Sequence, residues 1–342
     1  MAQEVEEKPM SANIDTTAMN SLSERLFREQ RLERRVRYAG HFVRVLFVLL
    51  GFYGITAFYQ QASNNAELQQ FTTQAVFEGK GTTSKSILVV PISGVISGNP
   101  LNNGGMSKSS GLFSNSVENT VLSVRRALNQ ATKMPDLAEV VMFVESPGGE
   151  LTASDEVYSM LKRWRKAHQN VRVSAYLYSI AASGAYYVAM AADTLAANPT
   201  SMVGSLGVIT QMPNLSELAK RFGVDMTTVK SGEFKDVGNI LREPLAEELA
   251  MLKKLVMHGH DRFVSVVDEG RPFLTRPQVM TLADGRVFSA EEAVSNGLID
   301  QVSPTFDDFL AERAELIRKQ EDFLTLQVVL PTGEFSLLDL LF

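Results

Sequence analysis

The chain contains no cysteine. Disulfide bonds, thiolate zinc sites and a cysteine nucleophile are therefore excluded together. Histidine is also scarce, because 342 residues include only four: His41, His168, His258 and His260. A Ser-His-Asp triad or a histidine-rich metal centre consequently has few candidate residues.

A strong excess of positive charge is missing as well. Lysine and arginine number 33 against 39 aspartates and glutamates, which gives a net charge of −6 at pH 7. This balance argues against nucleic acid as a partner of the whole chain. Hydrophobic residues make up 45% of the sequence, enough to form the core of one large or two modest domains.

The N-terminal part combines a basic stretch with an apolar one. Residues 1–41 are polar, and their last part includes Arg31, Arg34 and Arg35. Residues 42–59 are apolar apart from Arg44 and provide about 18 residues, the short end of a bilayer span. Because this segment is apolar all round and carries aromatic residues, we predict one transmembrane helix. A buried core helix and a cleaved signal peptide are the alternatives.

The arginines that precede the predicted span set its expected orientation. By the positive-inside rule, residues 1–41 lie in the cytoplasm and the helix crosses the inner (plasma) membrane once. The rest of the chain then lies on the periplasmic or extracytoplasmic side. Residues 60–85 are rich in Gln, Asn, Thr and Ser and predict a stalk or linker.

The region 86–305 is predicted to be a folded domain, and 306–342 a C-terminal tail with one helical stretch. Short apolar runs such as AEVVMFVE and VRVSAYLY alternate with helical patterns, the clearest at 151–168 and 245–269. A further strand is predicted at 226–230 (MTTVK). Strands separated by crossover helices indicate an α/β fold with mostly parallel pairing.

Two glycine-containing motifs follow predicted strands. Ser146-Pro147-Gly148-Gly149 can point backbone N–H groups into a crevice, where they would hold an oxyanion, although a plain tight turn has the same pattern. Ser183 lies between small residues at the start of a predicted helix. It is either the N-cap of that helix or a nucleophile next to the N–H groups of Gly149 and Gly184.

A third motif supplies lysines in the sequence KSGEFKDVG, 230–238. A lysine that acts as a base must lose its proton near neutral pH, so its pKa has to fall by roughly 2 to 3 units from about 10.4, for which burial is the usual cause. Lys235 is the better candidate than Lys230, which lies at the end of the predicted strand. A solvated surface lysine is the alternative for both.

Taken in order, these motifs resemble the signal peptide peptidases of the SppA type. These belong to the S49 serine peptidases and have the ClpP/crotonase superfold, built from repeated ββα units. The matching segments are SPGG at 146–149, SIAASGAYYVAMAAD at 179–193, GSLGVI at 204–209 and KSGEFKDVG at 230–238. The order and interval of the motifs resemble the short, single-repeat bacterial members, and the resemblance covers about residues 85 to 305.

The resemblance implies a role for each motif. Ser183 is the implied nucleophile, Lys235 its general base and Ser205 the hydroxyl that holds the lysine in place. The backbone N–H groups of Gly149 and Gly184 form the implied oxyanion hole. Such a dyad needs no metal and no other cofactor. One residue departs from the family pattern: Glu145 stands where asparagine is usual, and a carboxylate pointing into the site would raise the lysine pKa.

The resemblance also implies substrates and partners. These are short or unfolded apolar peptides, such as remnant signal peptides, and further copies of the chain in a ring-like homo-oligomer. We expect subunit contacts near 214–245 and on the long helix that follows. Other S49-type roles, such as a capsid or stomatin-associated protease, remain open, and so does an inactive crotonase-fold scaffold or peptide-binding protein.

Overall fold

The computed structural model describes residues 70–98, 119–323 and 325–332, all of which belong to one compact unit, 66–342. The predicted cytoplasmic segment 1–41 and the predicted membrane helix 42–59 lie outside the described residues. Within the described ranges, no helix combines the length and the apolar character that crossing a bilayer requires.

The strands of the described residues form one nine-stranded sheet. They are β1 Gln70–Glu78, β2 Lys85–Ile96, β3 Leu137–Gly149, β4 Arg172–Ala182, β5 Thr194–Ala197, β6 Met202–Gly204, β7 Val287–Ser289, β8 Gln301–Val302 and β9 Thr325–Thr332. Their spatial order is β1-β9-β2-β3-β4-β5-β8, and β6 pairs with both β4 and β7. Pairing is parallel from β9 through β2, β3, β4 and β5 to β8, and antiparallel in β1/β9 and β6/β7.

Helices cover both faces of this sheet. They are α1 Thr120–Ala131, α2 Leu151–Ala167, α3 Gly184–Ala189, α4 Ser216–Arg221, α5 Ala246–Gly270, α6 Arg276–Leu282, α7 Ala290–Ser295 and α8 Phe306–Gln320. One core lies beneath α1, α2, α3 and α5, and a second lies between the other face and α8. Residues 140–144 of β3 are all buried because both faces of that parallel strand are covered. The predicted α/β class with mostly parallel pairing is confirmed.

The sheet extends beyond the predicted domain limits of 86–305. β1 comes from residues assigned to the stalk, and α8 and β9 come from residues assigned to the tail. The reason is a non-local pairing: β9 lies between β1 and β2, where Leu326 and Val328 are buried against α8. Local composition gives no sign of this pairing, since it joins residues about 250 positions apart in sequence.

The predicted helices at 151–168 and 245–269 are present as α2 and α5, but the predicted strand at 226–230 is wrong. Residues 224–230 have no regular secondary structure, and the side chains of MTTVK are exposed. A strand needs a partner for its backbone groups, and none of the nine strands in the described ranges pairs with these residues.

Candidate active site

The three motifs at the ends of β3, β4 and β6 meet at one edge of the sheet. Ser146 on β3 lies opposite Ala181 on β4, and Ala182 lies opposite Gly204 on β6. Because the three strands are parallel, their carboxyl ends coincide, and the residues that follow them share one crevice. The sheet therefore brings SPGG, Ser183 and Ser205 together.

Ser183 has a backbone conformation that side chains rarely adopt. Its φ is 54° and its ψ is −124°. In the described part of the chain, Ser183 and Ser205 (φ 53°) are the two residues other than glycine with positive φ. A residue held in such a region costs on the order of 1–3 kcal/mol, and strain of this kind is concentrated at functional sites. Both strained serines are residues to which the sequence analysis assigned a role.

Ser183 occupies the N-cap position of α3, but its side chain does not cap the helix. Its backbone N–H donates to the Gly204 carbonyl at 2.8 Å, and its carbonyl accepts from the Tyr187 N–H at 3.0 Å. The side chain is half-buried. Ser183 is thus the N-cap residue by position, but its hydroxyl makes no capping bond and remains available for chemistry at the positive end of the helix dipole.

Gly148 and Gly184 allow the two loops to touch. A Cβ added to Gly148, whose φ is 96°, would lie 2.7 Å from the Gly184 nitrogen and 2.8 Å from the Ser183 Cβ. A Cβ added to Gly184 would lie 2.3 Å from the Ser154 Oγ and 3.3 Å from the Gly149 nitrogen. No side chain fits at either position, so the backbone of the first motif lies directly against the nucleophile candidate.

The same contacts place two backbone N–H groups close to Ser183. Gly184 is the first residue of α3, where an N–H has no partner within the helix. The Gly149 nitrogen lies at the end of β3, next to the Cα of Gly184. Two such donors beside a hydroxyl are the arrangement that stabilises the oxyanion of an acyl transfer.

Ser205 lies beside Ser183 because it follows Gly204 as Ser183 follows Ala182. The Ser205 N–H donates to the Arg286 carbonyl at 2.8 Å, which fixes its backbone. Its side chain is half-buried. The register of β4 and β6 thus places two serines with similar φ angles at adjacent positions.

Lys235 is not part of this cluster in the single chain. It is exposed, and its backbone N–H closes a turn onto the Gly232 carbonyl at 3.1 Å. Among the residues that the structure describes, no hydrogen bond or ion pair involves the Lys235 amine. The burial that a lysine base requires is therefore not supplied by the part of the chain that the structure describes.

The other lysine of the motif, Lys230, takes part in a network of ion pairs. The Lys230 amine lies 2.6 Å from Asp236 and also donates to the Glu233 carbonyl at 2.8 Å. Arg242 binds the same Asp236 carboxylate at 2.9 Å and binds Glu248 on α5. This chain of charges ties the segment that carries Lys235 to the start of α5. It also leaves the Asp236 carboxylate bound by two cations.

These ion pairs predict an acid-sensitive segment. Hydrogen bonds from Arg242 and then Lys230 lower the pKa of Asp236, and hydrogen bonds from Arg242 and the Leu245 N–H lower that of Glu248 to about 2. Groups with lowered folded-state pKa values stabilise above their unfolded values of 3.8 and 4.5, and that stabilisation is lost as the pH falls below them.

We therefore expect residues 226–245 to lose amide hydrogen-exchange protection as the pH falls from about 4.5 to about 2, before helix α2 does. The Asp236→Asn variant serves as the control, because its segment should be weakly protected already at pH 7. Equal protection of 226–245 at pH 7 and pH 3 in the unaltered chain would contradict this prediction.

Glu145, the residue that departs from the family pattern, lies where β3 and β4 lose their regular pairing. The register passes from Val144–Leu177 to Ser146–Ala181, so Glu145 has no partner position on β4. It pairs instead with Ser93 of β2 and is half-buried.

Sequence reasoning missed three groups that shape the site. Ser146 is buried, and its hydroxyl accepts the Gly148 N–H at 3.1 Å. Ser154 packs against Gly184, and the Arg286 carbonyl holds Ser205. Ser146 lies within the SPGG motif, where its own role was not recognised. The Arg286 carbonyl is 81 positions from Ser205 in sequence, so nothing local in the sequence indicates their contact. In the described ranges, no group of three or more acidic or histidine side chains could hold a metal ion.

Comparison with known proteins bears on the same residues. The profile of peptidase family S49 matches residues 165–319, which include Ser183, Gly184, Ser205 and Lys235. A putative protease of Synechocystis sp. is 37% identical over 164 residues, covering 48% of this chain and 58% of that protein. A putative signal peptide peptidase SppA of Enterococcus faecium is 32% identical over 231 residues, covering 67% of this chain and 63% of that protein.

Residues 165–319 belong to peptidase family S49. The resemblance inferred from the ordered motifs is thereby confirmed. This S49 chain spans about three fifths of the length of the two curated relatives. Among solved structures, a ClpP1 mutant from Listeria monocytogenes gives a TM-score of 0.40 at 16% identity and covers 64% of this chain and 93% of that one. A score at that level does not establish a shared fold, so the ClpP/crotonase-like unit stays a prediction.

Proposed function

We propose that this S49 chain is a membrane-anchored serine endopeptidase that cleaves peptides with a Ser183–Lys235 dyad. The observation that carries the proposal is the conformation of Ser183. It has a positive φ and a hydroxyl that does not cap its helix, and it lies against Gly148, Gly149 and Gly184. A structural serine has no need of this strain, whereas a nucleophile gains a hydroxyl that is free of helix capping and lies beside two oxyanion donors.

In the proposed reaction, the Lys235 amine accepts the proton of the Ser183 hydroxyl as the Ser183 Oγ bonds to the scissile carbonyl carbon. The N–H groups of Gly149 and Gly184 hold the oxyanion. The leaving amine takes the proton from the lysine, and an acyl-enzyme remains. Water then attacks the ester carbonyl and gives its proton to the same lysine. The bond between the acyl carbon and Oγ breaks, the lysine returns the proton to Oγ, and the acid product leaves a regenerated Ser183. Ser205 orients the amine through its hydroxyl.

The substrates we propose are short or unfolded apolar peptides, including remnant signal peptides. Two apolar side chains lie close to the serines in the sheet. The half-buried Ile180 on β4 is paired with the exposed Met202 on β6, three residues before Ser183 and Ser205. Such side chains suit apolar residues of an extended peptide better than charged ones.

A second copy of the chain would supply the burial that Lys235 lacks. Large apolar side chains are exposed throughout 209–257, among them Ile209 (80%), Phe222 (76%), Val229 (96%) and Leu255 (62%). We call the exposed apolar residues of 209–257 the projecting face. Single exposed apolar residues are ordinary, but a set concentrated in the segment that carries Lys235 is typical of an interface. We therefore propose a homo-oligomer in which a neighbouring copy covers this face, in line with the ring-like assembly inferred from the family.

The anchor and its orientation are part of the proposal. The basic and apolar pattern of 1–59 supports a single membrane helix with a cytoplasmic N-terminus and an extracytoplasmic catalytic domain. In intact spheroplasts, added protease should degrade a C-terminal tag and spare an N-terminal tag, and permeabilisation should expose both. Protection of the C-terminal tag in intact spheroplasts would refute the orientation.

The activity itself is tested by hydrolysis of an apolar fluorogenic peptide by the detergent-solubilised full chain. The proposal is wrong if the Ser183→Ala variant cleaves that peptide as fast as the unaltered chain. The same result would favour the alternative of an inactive, peptide-binding member of the family.

A further inference from the structure

Ser205 is held by a short turn that belongs to a distant part of the chain. The turn consists of residues 284–286, between α6 and β7. Asp284 accepts the Arg286 N–H at 3.1 Å, and the Arg286 side chain returns to the same carboxylate at 2.7 Å. Gly285 has a φ of 88°. The turn is therefore stiff, and its Arg286 carbonyl is aimed at the Ser205 N–H at 2.8 Å.

Helix α5 holds this turn through His260. The Nε2 atom of His260 lies 2.8 Å from the carbonyl oxygen of Ala283, the residue immediately before the turn. The Nδ1 atom is buried and has no hydrogen-bond partner among the described residues. A carbonyl only accepts, so Nε2 carries a proton and His260 donates one hydrogen bond to Ala283.

Gly259, the residue before His260, shows that α5 packs against residues next to the site motifs. Gly259 is buried, and a Cβ added there would lie 2.8 Å from the Leu151 Cδ2 and 3.5 Å from the Val208 Cγ2. Leu151 begins α2 directly after the SPGGE loop, and Val208 follows Ser205 in GSLGVI. One turn of α5 is therefore in contact with the first residue of α2, with Val208 of the GSLGVI motif, and with Ala283, the residue before the turn that holds Ser205.

We propose that His260 is a positioning residue for the peptidase site. It acts through a relay of backbone groups, from its Nε2 to the Ala283 carbonyl, through the turn, and from the Arg286 carbonyl to the Ser205 N–H. The relay maintains the positive φ of Ser205, and so the direction of the hydroxyl that orients Lys235. The inference rests on the proposed function, because Ser205 matters to catalysis only if Lys235 is the base.

Three substitutions at His260 separate hydrogen bonding from packing. Gln places its Nε2 where the histidine Nε2 lies, Asn reaches only as far as Nδ1, and Leu fills space without a donor. We expect His260→Leu and His260→Asn to lower kcat about tenfold, the usual effect of losing one buried hydrogen bond, with KM unchanged within about twofold. His260→Gln should stay within about twofold of the unaltered chain.

A second measurement does not depend on activity. Amide hydrogen exchange of a peptide that contains Ser205 should be about tenfold faster in His260→Leu than in the unaltered chain or in His260→Gln. The destabilised control is Ile317→Ala on α8, in the core on the other face of the sheet. It should lower the melting temperature without changing kcat or the exchange of Ser205.

A double-mutant cycle with Ser205→Ala decides whether the relay acts through Ser205. In the Ser205→Ala background, His260→Leu should lower kcat no further, by less than about twofold. An equal tenfold loss in both backgrounds, or equal kcat values for the Gln and Leu variants, would overturn the proposal. Activity that survives Ser183→Ala would instead remove the proposed function, whereas an inactive Ser183→Ala with an unaffected His260→Leu would overturn only the positioning role.

Discussion

Replacing Ser183 by alanine should lower the rate of peptide hydrolysis at least about a thousandfold, the scale seen when one member of a nucleophile–base unit is removed. The strained backbone at Ser183 and the loops around it should persist, because Ser183 is held by its backbone bonds to Gly204 and Tyr187 rather than by its hydroxyl. The adjacent Ser205 hydroxyl does not substitute, since Ser205 lies outside the contact between Gly148 and Gly184.

Lys235→Ala should have a loss of similar size, and the double variant should be no worse than either single one, because the two residues act as a unit. Lys235→Arg should not restore the rate, since a guanidinium stays protonated and cannot act as a base.

The controls are residues of the same types far from the crevice. Ser295→Ala removes an exposed hydroxyl that bonds the Glu291 carbonyl, and Lys166→Ala removes an exposed amine in the last turn of α2. Both variants should retain the full rate on the fluorogenic peptide. Full activity of Lys235→Ala, with Ser183→Ala inactive, would refute the lysine as base while leaving the nucleophile in place.

A charge placed on the projecting face should have two effects in the same variant: the subunits dissociate and the activity is abolished. Phe222→Asp and Leu255→Asp each put a carboxylate where a neighbouring apolar surface is proposed, and burying an unpaired charge is costly. We expect each variant to sediment as a monomer in detergent and to lose at least about a hundredfold in kcat, because Lys235 would again be fully hydrated.

The matched control is Met280→Asp, which changes an exposed apolar residue (43%) on α6, outside the projecting face. It should leave both the sedimentation coefficient and the rate unchanged. The far-ultraviolet circular dichroism of all three variants should match that of the unaltered chain, because these side chains are already exposed in the single chain. An unaltered chain that is fully active as a monomer would contradict the proposed role of the second copy.

The buried pair formed by Arg313 and Glu139 shows that the folded domain extends beyond its predicted limits of 86–305. Arg313 lies on α8, in the segment assigned to the tail, and donates to the Glu139 carboxylate at 2.8 Å beneath the sheet. Burial is the main effect on Glu139 and raises its pKa, while the nearby Arg313 acts in the opposite direction. The sequence predicts a helix at α8 from its periodicity, but it does not show that this helix covers the second face of the sheet.

The sequence by itself determined the α/β class, the family and the residues of the cluster around Ser183, because each is indicated by residues that are close together in the sequence. Apolar runs, glycine pairs and small residues beside a serine act within a few positions along the chain. The tertiary structure decided what depends on contacts between distant segments: the inclusion of β1 and β9 in the sheet, the packing of α8 on its second face, the positive φ shared by Ser183 and Ser205, and the carbonyl of Arg286 behind Ser205. It also showed that Lys235 is exposed among the residues that the structure describes, because solvent exposure is a property of the assembled surface and not of the residue.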